Sequence, residues 1–367
     1  MDSPKYELLT QGLNQVMEGR PEEARQTLAS LRNRLDVDGS PEDMQYLIFA
    51  AAVSRRLFSS KPTDEFNLYL RRYEQTQINL FSLLASRLPL VPMAGAIANG
   101  LIQELVRGKE TFTLLDVGIG VGRQEVALLE AMAEAKTLPR KLTIVGVEPG
   151  DSSLRDAQQA LDSTAQRLGV ELRFIGIAHS AEALSEEHWA MLESLPGPRV
   201  VNAAFAMHHI AWRPEGEDLR DTFFRRLRAW APAGVVLCEP NSNHHRASLP
   251  ERFKNCWRHL YFTFQLLEEL DISRHEKNSI KDFFSREVED IVSTVDEQQR
   301  SERHEHVSAW LDRLSRCGFQ LKEKRGRVWP STHPAISVCS ERGYVGLEYR
   351  GETIVAVICA TTPDASS

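Results

Sequence analysis

The stretch Leu114-Leu115-Asp116-Val117-Gly118-Ile119-Gly120-Val121-Gly122 sets a short apolar run against three glycines at alternate positions. A backbone without Cβ atoms can turn tightly and pass close to a bound molecule. The helical pattern that comes next, from Arg123 to about Ala135, would aim free N–H donors at that molecule. A second apolar run ends in Val145-Gly146-Val147-Glu148, and a carboxylate at a strand end can accept both hydroxyl protons of a ribose. Asp116, Gly118, Gly120, Gly122 and Glu148 therefore point to a nucleoside ligand. The dinucleotide spacing Gly-x-Gly-x-x-Gly fails, because Arg123 stands where its third glycine belongs, and no Gly-Lys-Ser/Thr is present after the loop to hold ATP or GTP. The plain alternative is a tight turn with no ligand.

Three more run ends carry polar side chains. The run Leu172 to Ile177 leads to His179 and Ser180, and Val200 to Phe205 leads to Met207-His208-His209. Val235 to Cys238 leads to Glu239-Pro240-Asn241-Ser242-Asn243-His244-His245. In an open α/β sheet such ends share the carboxyl edge where ligands bind. Small Ala203 and Ala204 beside Asn202 would leave room for a nucleoside, and the face of Phe205 attracts positive charge. Glu239 and His208 suit proton transfer, since a carboxyl or imidazole can titrate near neutrality. His208 reads equally as a buried hydrogen-bonded histidine. The adjacent His244 and His245 lack nearby Cys or Asp partners, so no metal is expected.

The elements that must position these residues are legible in the periodicity. From Lys5 to about Arg107 apolar residues recur at helical spacing, in Leu8, Leu9, Leu13, Val16, Met17 and again in Leu68, Leu70, Tyr73, Ile78, Leu80. Ser40-Pro41-Glu42-Asp43 reads as a helix start. After Gly108, short β-branched or apolar runs alternate with helical stretches, which predicts βαβ units and a parallel sheet. From Pro240 to about Arg300 runs a helical, aromatic-rich insertion expected to cap the sheet, and its Trp257 and Tyr261 join Asn241, Asn243 and His244 as candidate contacts for a small-molecule substrate. A helix from Val307 to Cys317 then precedes two alternating runs, Tyr344 to Tyr349 and Thr353 to Ile358, which read as an antiparallel β-hairpin. The expected fold is α/β. Residues 1–107 form an N-terminal helical region, 108–240 a Rossmann-like core, 241–300 the helical insertion, and 301–367 a helix and strands completing the sheet.

A net charge of -7 over 367 residues argues against tracking nucleic-acid phosphates. The five cysteines are odd in number and not at metal-ligand spacing, which suits a reducing, cytoplasmic compartment, and no apolar run approaches a membrane-spanning length.

Several ordered segments resemble the GRAS proteins, known chiefly as plant transcriptional regulators built on a methyltransferase-like Rossmann fold with a helical cap. They are Leu114-Leu115-Asp116-Val117-Gly118, Val201-Asn202-Ala203-Ala204-Phe205-Ala206-Met207-His208-His209, Cys238-Glu239-Pro240-Asn241-Ser242-Asn243-His244, Ser285-Arg286-Glu287-Val288-Glu289-Asp290-Ile291-Val292 and Glu302-Arg303-His304-Glu305, followed by Trp310 and Gly318-Phe319. The chain looks like a bacterial-type member. Its glycine loop is intact where that of many plant members is eroded, which points toward a working cofactor site, while Val355-Ala356-Val357-Ile358-Cys359-Ala360 replaces the plant terminal Trp-containing motif. The resemblance implies S-adenosylmethionine as the cofactor, with His179 or Ser180 near the adenine. The first function expected is methyl transfer to a small molecule held between sheet edge and cap, with Glu239 or His208 taking a proton. The alternative is a non-enzymatic regulator that binds a ligand or a protein partner. A homodimer is compatible with either. Arg303, His304 and Glu305 read first as capping or ion-pair residues.

Overall fold

The computed structural model describes residues 3–57, 83–323 and 329–363. The chain opens with α1 (Pro4–Met17), α2 (Pro21–Arg32) and α3 (Asp43–Leu57), followed after the undescribed stretch by α4 (Leu90–Leu105). Alternation then sets in: β1 (Thr111–Val117), α5 (Arg123–Glu134), β2 (Lys141–Val147), α6 (Asp151–Leu168), β3 (Glu171–Ile177), α7 (Glu186–Glu193), β4 (Arg199–Ala204), α8 (Leu219–Trp230) and β5 (Gly234–Pro240). Two long helices, α9 (Leu249–Glu269) and α10 (Arg274–Ser293), interrupt it. The chain ends with α11 (Val307–Arg316), β6 (Gln320–Leu321), β7 (Ile336–Glu341), β8 (Tyr344–Tyr349) and β9 (Glu352–Thr361). Two compact units result, one from Met1–Pro89 with Ser242–Arg303, the other from Leu90–Asn241 with His304–Ser367. The sequence segment 1–107 is thus divided, with α4 belonging to the sheet unit, and the insertion joins the N-terminal helices.

In the helical unit, Ser3 caps α1 ahead of Pro4, and capping boxes of Ser248 with Glu251 and Ser273 with Glu276 start α9 and α10. Helix α3 begins at Asp43, two residues after the Pro41 expected to open it, because Pro41 and Glu42 form a turn. It is buried on nearly every side, which is why its sequence runs Tyr46-Leu47-Ile48-Phe49-Ala50 without a polar face. Trp257 packs its ring 4.8 to 5.1 Å from those of Tyr46, Phe49 and Tyr6. The buried Lys281 ammonium donates to the Pro41 carbonyl and to Glu268. The apolar set Leu68 to Leu80 lies outside the described residues.

The other unit is a Rossmann-like sheet in the order β3-β2-β1-β4-β5-β9-β8-β7, with β6 paired to β9. Strands β3 to β5 along that order are parallel, and β9, β8 and β7 run antiparallel. Central strands β1, β2 and β5 are buried almost throughout, hence their continuous apolar runs. The terminal hairpin turns at Arg350 and Gly351, both at positive φ, as a two-residue turn between twisted strands requires. Strand β7 has no counterpart among the strands expected from sequence. Among the described residues it pairs with β8 alone, and it is mostly half-exposed, so it needs no apolar alternation. The register sets which residues are neighbours at the carboxyl edge: Asp116 on β1 lies beside Asn202 on β4, and Ala204 beside Cys238, one residue before Glu239.

Candidate nucleoside site

The loop from Gly118 to Gly122 joins β1 to α5, and its three glycines do different jobs. All have positive φ, at 78°, 54° and 74°. A Cβ on Gly118 would stand 2.5 Å from the Ala206 methyl, and one on Gly122 would stand 3.2 Å from the Ala157 methyl. Gly118 is required by packing as well as by the turn, and Gly122 sits in tight contact with α6. A Cβ on Gly120 would meet nothing within 4 Å. Gly120 therefore faces open space, as a cradle for a ligand must. Across the edge, the half-buried Glu148 carboxylate comes directly after β2 and accepts the Gly150 N–H at 3.1 Å.

Asp116 and Asn202 sit deeper than the sequence suggested. Both are buried, and Asn202 Nδ2 donates to Asp116 Oδ2 at 2.6 Å. Gln124 Nε2 donates to the Asn202 and Asn99 side-chain oxygens, both at 3.2 Å, while Asn99 Nδ2 donates to the Gln124 carbonyl. Glu125, in the first turn of α5, hydrogen-bonds the Asp116 carboxyl. These side chains fasten the start of α5 to the ends of β1 and β4, beneath the loop, so Asp116 and Asn202 support it from below instead of facing a ligand. Sequence reasoning missed Glu125. Its only signal was an acid at the third helical position, which ordinarily reads as a solvated capping residue.

At the ends of β4 and β5, the buried Glu239 carboxylate spans two partners. Its Oε2 lies 2.7 Å from His208 Nδ1, and its Oε1 accepts the Met207 N–H at 2.9 Å. Burial lifts the carboxyl from its ordinary 4.5 to about 7, against the opposing pull of His304, the Met207 N–H, Arg220 and His209. The rings of His209 and His304 flank His208 at 4.0 and 4.4 Å. Behind it, Arg220 donates to the His208 carbonyl and to Glu305. Glu305 also accepts from Arg313, which binds Asp218 and Asp221 in turn. Both guanidiniums stack on the ring of Trp310. Glu305 is thus an ion-pair residue, in keeping with its sequence context.

The model of the GRAS domain family matches residues 6–354. The chain belongs to that family. Protein SLENDER RICE1-LIKE 1 of Oryza sativa subsp. japonica is 29% identical over 74% of this chain and 54% of its own length. Scarecrow-like protein 21 of Arabidopsis thaliana is 25% identical over 81% of this chain and 72% of its own. The chain thus spans from about half to under three quarters of these two curated relatives. The crystal structure of SCL7 from Oryza sativa is similar with a TM-score of 0.80 and 22% identity, over 98% of this chain and 100% of that one.

Within this GRAS domain the remaining sequence candidates divide. His179 is exposed at the end of β3, its ring 5.1 Å from that of His188, and Ser180 caps a short turn beside it. Phe205 holds φ at 56°, a conformation that costs a side-chain-bearing residue energy, with its N–H donated to the Cys238 carbonyl. Asn241 is committed elsewhere. Its Nδ2 donates to the Thr353 carbonyl and its Oδ1 accepts the Val307 N–H, so it ties β9 and α11 to the end of β5 in place of contacting substrate. Trp257, expected to contact substrate, instead buries its ring in the helical core. In the same helical unit His244 is buried with Nε2 2.9 Å from Ser242 Oγ, Asn243 is exposed and accepts from Asn255 through its carbonyl, and Tyr261 is exposed beside Phe262.

Proposed function

We propose that this chain acts as a GRAS-type regulator: a Rossmann-like domain that binds an S-adenosyl nucleoside and engages a protein partner. The family assignment and the DELLA and Scarecrow-like relatives support regulation over catalysis. The open space at Gly120, together with the Glu148 carboxylate at the end of the neighbouring strand β2, carries the ligand assignment. These residues fit the nucleoside: the loop N–H groups take its polar end and Glu148 takes the ribose hydroxyls. When bound, S-adenosylmethionine supplies an activated methyl group on a sulfonium. The intact loop also supports placing the chain with a bacterial-type, cofactor-keeping branch. Cytoplasmic residence is proposed on the cysteine pattern alone.

One observation favours methyl transfer as a second reading. Glu239, titrating near 7 against His208 at the same sheet edge, could accept a proton from an O–H or N–H acceptor. Protein purified without added ligand and sprayed intact into a mass spectrometer, followed by calorimetry with S-adenosylmethionine and S-adenosylhomocysteine, tests the ligand. A co-purifying nucleoside or micromolar binding supports it, and no binding of either compound rejects it. Methyl transfer to any acceptor in a screen with labelled donor would replace the regulator by the enzyme.

A further inference from the structure

The base of the glycine loop contains a pair of acids that the proposed nucleoside site does not itself use. Asp116 ends β1 and Glu125 lies in the first turn of α5, so the two bracket Gly118 to Gly122 in sequence. Both are 2% exposed and hydrogen-bonded to each other. Two carboxyl groups make such a bond only when one of them carries the proton. Asn202 donates to Asp116 Oδ2, and Gln124 binds Asn202 and Asn99, so the pair is held in a network that also reaches β4 and α4.

We propose that Glu125 is a positioning residue for the nucleoside loop: one proton shared between Glu125 and Asp116 clamps α5 to β1, and its loss releases the loop. The proposal rests on the nucleoside reading only for its effect on binding. Burial, then the neighbouring Asp116 carboxylate, holds the Glu125 proton well above the usual carboxylate range. Burial likewise raises Asp116, against the hydrogen bonds from Glu125 and Asn202. From β5 the Cys238 thiol, which burial keeps protonated, lies near Asp116 and Glu239. From β4 the pair faces the neutral amide of Asn202. When the proton leaves to solvent, two buried carboxylates face each other, and the repulsion is relieved by moving α5 away from β1.

The test compares wild type with Glu125→Gln and Asp116→Asn, each of which keeps the hydrogen bond while removing the need for a shared proton. Amide hydrogen exchange in the peptide covering Gly118 to Gly122, corrected for intrinsic rates, is tracked from pH 6 to 9 on ligand-free protein. Exchange is expected to quicken with pH in wild type, by at most about tenfold per pH unit up to the titration point of the closed clamp and levelling off above it, and to stay flat in both variants. Glu125→Leu, which cannot hold the bond, should exchange fast at every pH. Calorimetry with S-adenosylhomocysteine should show wild-type affinity falling over the same range and Glu125→Gln affinity holding. If Glu125→Gln and wild type share one pH profile of exchange, the proposal is wrong. If neither binds the nucleoside, the ligand reading fails and the exchange profiles still decide the clamp.

Discussion

Glu239 Oε2 stands 2.7 Å from His208 Nδ1 at the end of two adjacent parallel strands, and neither side chain has appreciable access to solvent. A carboxyl buried there binds a proton more tightly folded than unfolded. Its stabilising contribution is complete below the unfolded value of 4.5 and is lost as pH rises through about 7. The loss amounts to roughly 3 kcal/mol, at 1.36 kcal/mol for each pH unit between the two values. Urea unfolding from pH 4 to 8 should show this decline in wild type and not in Glu239→Gln, which keeps an oxygen for the Met207 N–H. Parallel curves for the two proteins would remove Glu239 as a near-neutral acid.

Glu148→Ala should weaken S-adenosylhomocysteine binding by about ten- to a hundredfold, the worth of hydrogen bonds to a charged group. Among the described residues the carboxylate otherwise accepts the local Gly150 N–H, so the melting temperature should hardly move. Unchanged affinity by calorimetry would end its role toward the ribose.

Gly118 and Gly120 should fail in different ways. Gly118→Ala forces a methyl to 2.5 Å from that of Ala206, so it should cost stability that Ala206→Gly partly restores. A Cβ at Gly120 meets nothing within 4 Å, so Gly120→Val should cost about 1 to 2 kcal/mol for its left-handed backbone, leaving a folded protein that no longer binds nucleoside. A folded Gly120→Val with full affinity would show that the open space serves no ligand.

Trp257→Ala should destabilise the helical unit by about 3 to 5 kcal/mol, since it empties the centre of a ring cluster with Tyr6, Tyr46 and Phe49. Thermal unfolding monitored by tryptophan fluorescence reads this directly. A wild-type melting temperature combined with lost ligand binding would return Trp257 to the substrate contacts.

Glu305→Gln leaves two buried guanidiniums, Arg220 and Arg313, facing a neutral amide. Breaking such a pair costs about 3 to 5 kcal/mol. Differential scanning calorimetry should show it as a large fall in melting temperature, and a negligible change would mean that Asp218 and Asp221 suffice.

The parallel strands, the glycine loop and the terminal hairpin were legible in the sequence because each is a local pattern: an apolar run long enough to be buried on both faces, glycines where φ is positive, a turn of Arg350 and Gly351 between alternating runs. The carboxyl ends of strands could be located for the same reason, which placed Glu148, His208 and Glu239 at one edge. The work done by the run ends depends on contacts across strands, and periodicity carries no information about those. Asp116 and Asn202 are brought together by the β1–β4 register, Glu125 is turned beneath the loop by the first turn of α5, and Asn241 is consumed by β9 and α11. Trp257 looked like a ligand contact because aromatic residues suit both a pocket and a core, and only packing against α1 and α3 distinguishes the two. Tertiary structure alone decided which polar groups are spent on the protein itself, because a buried donor or acceptor must find a partner and that partner is usually far away in the chain.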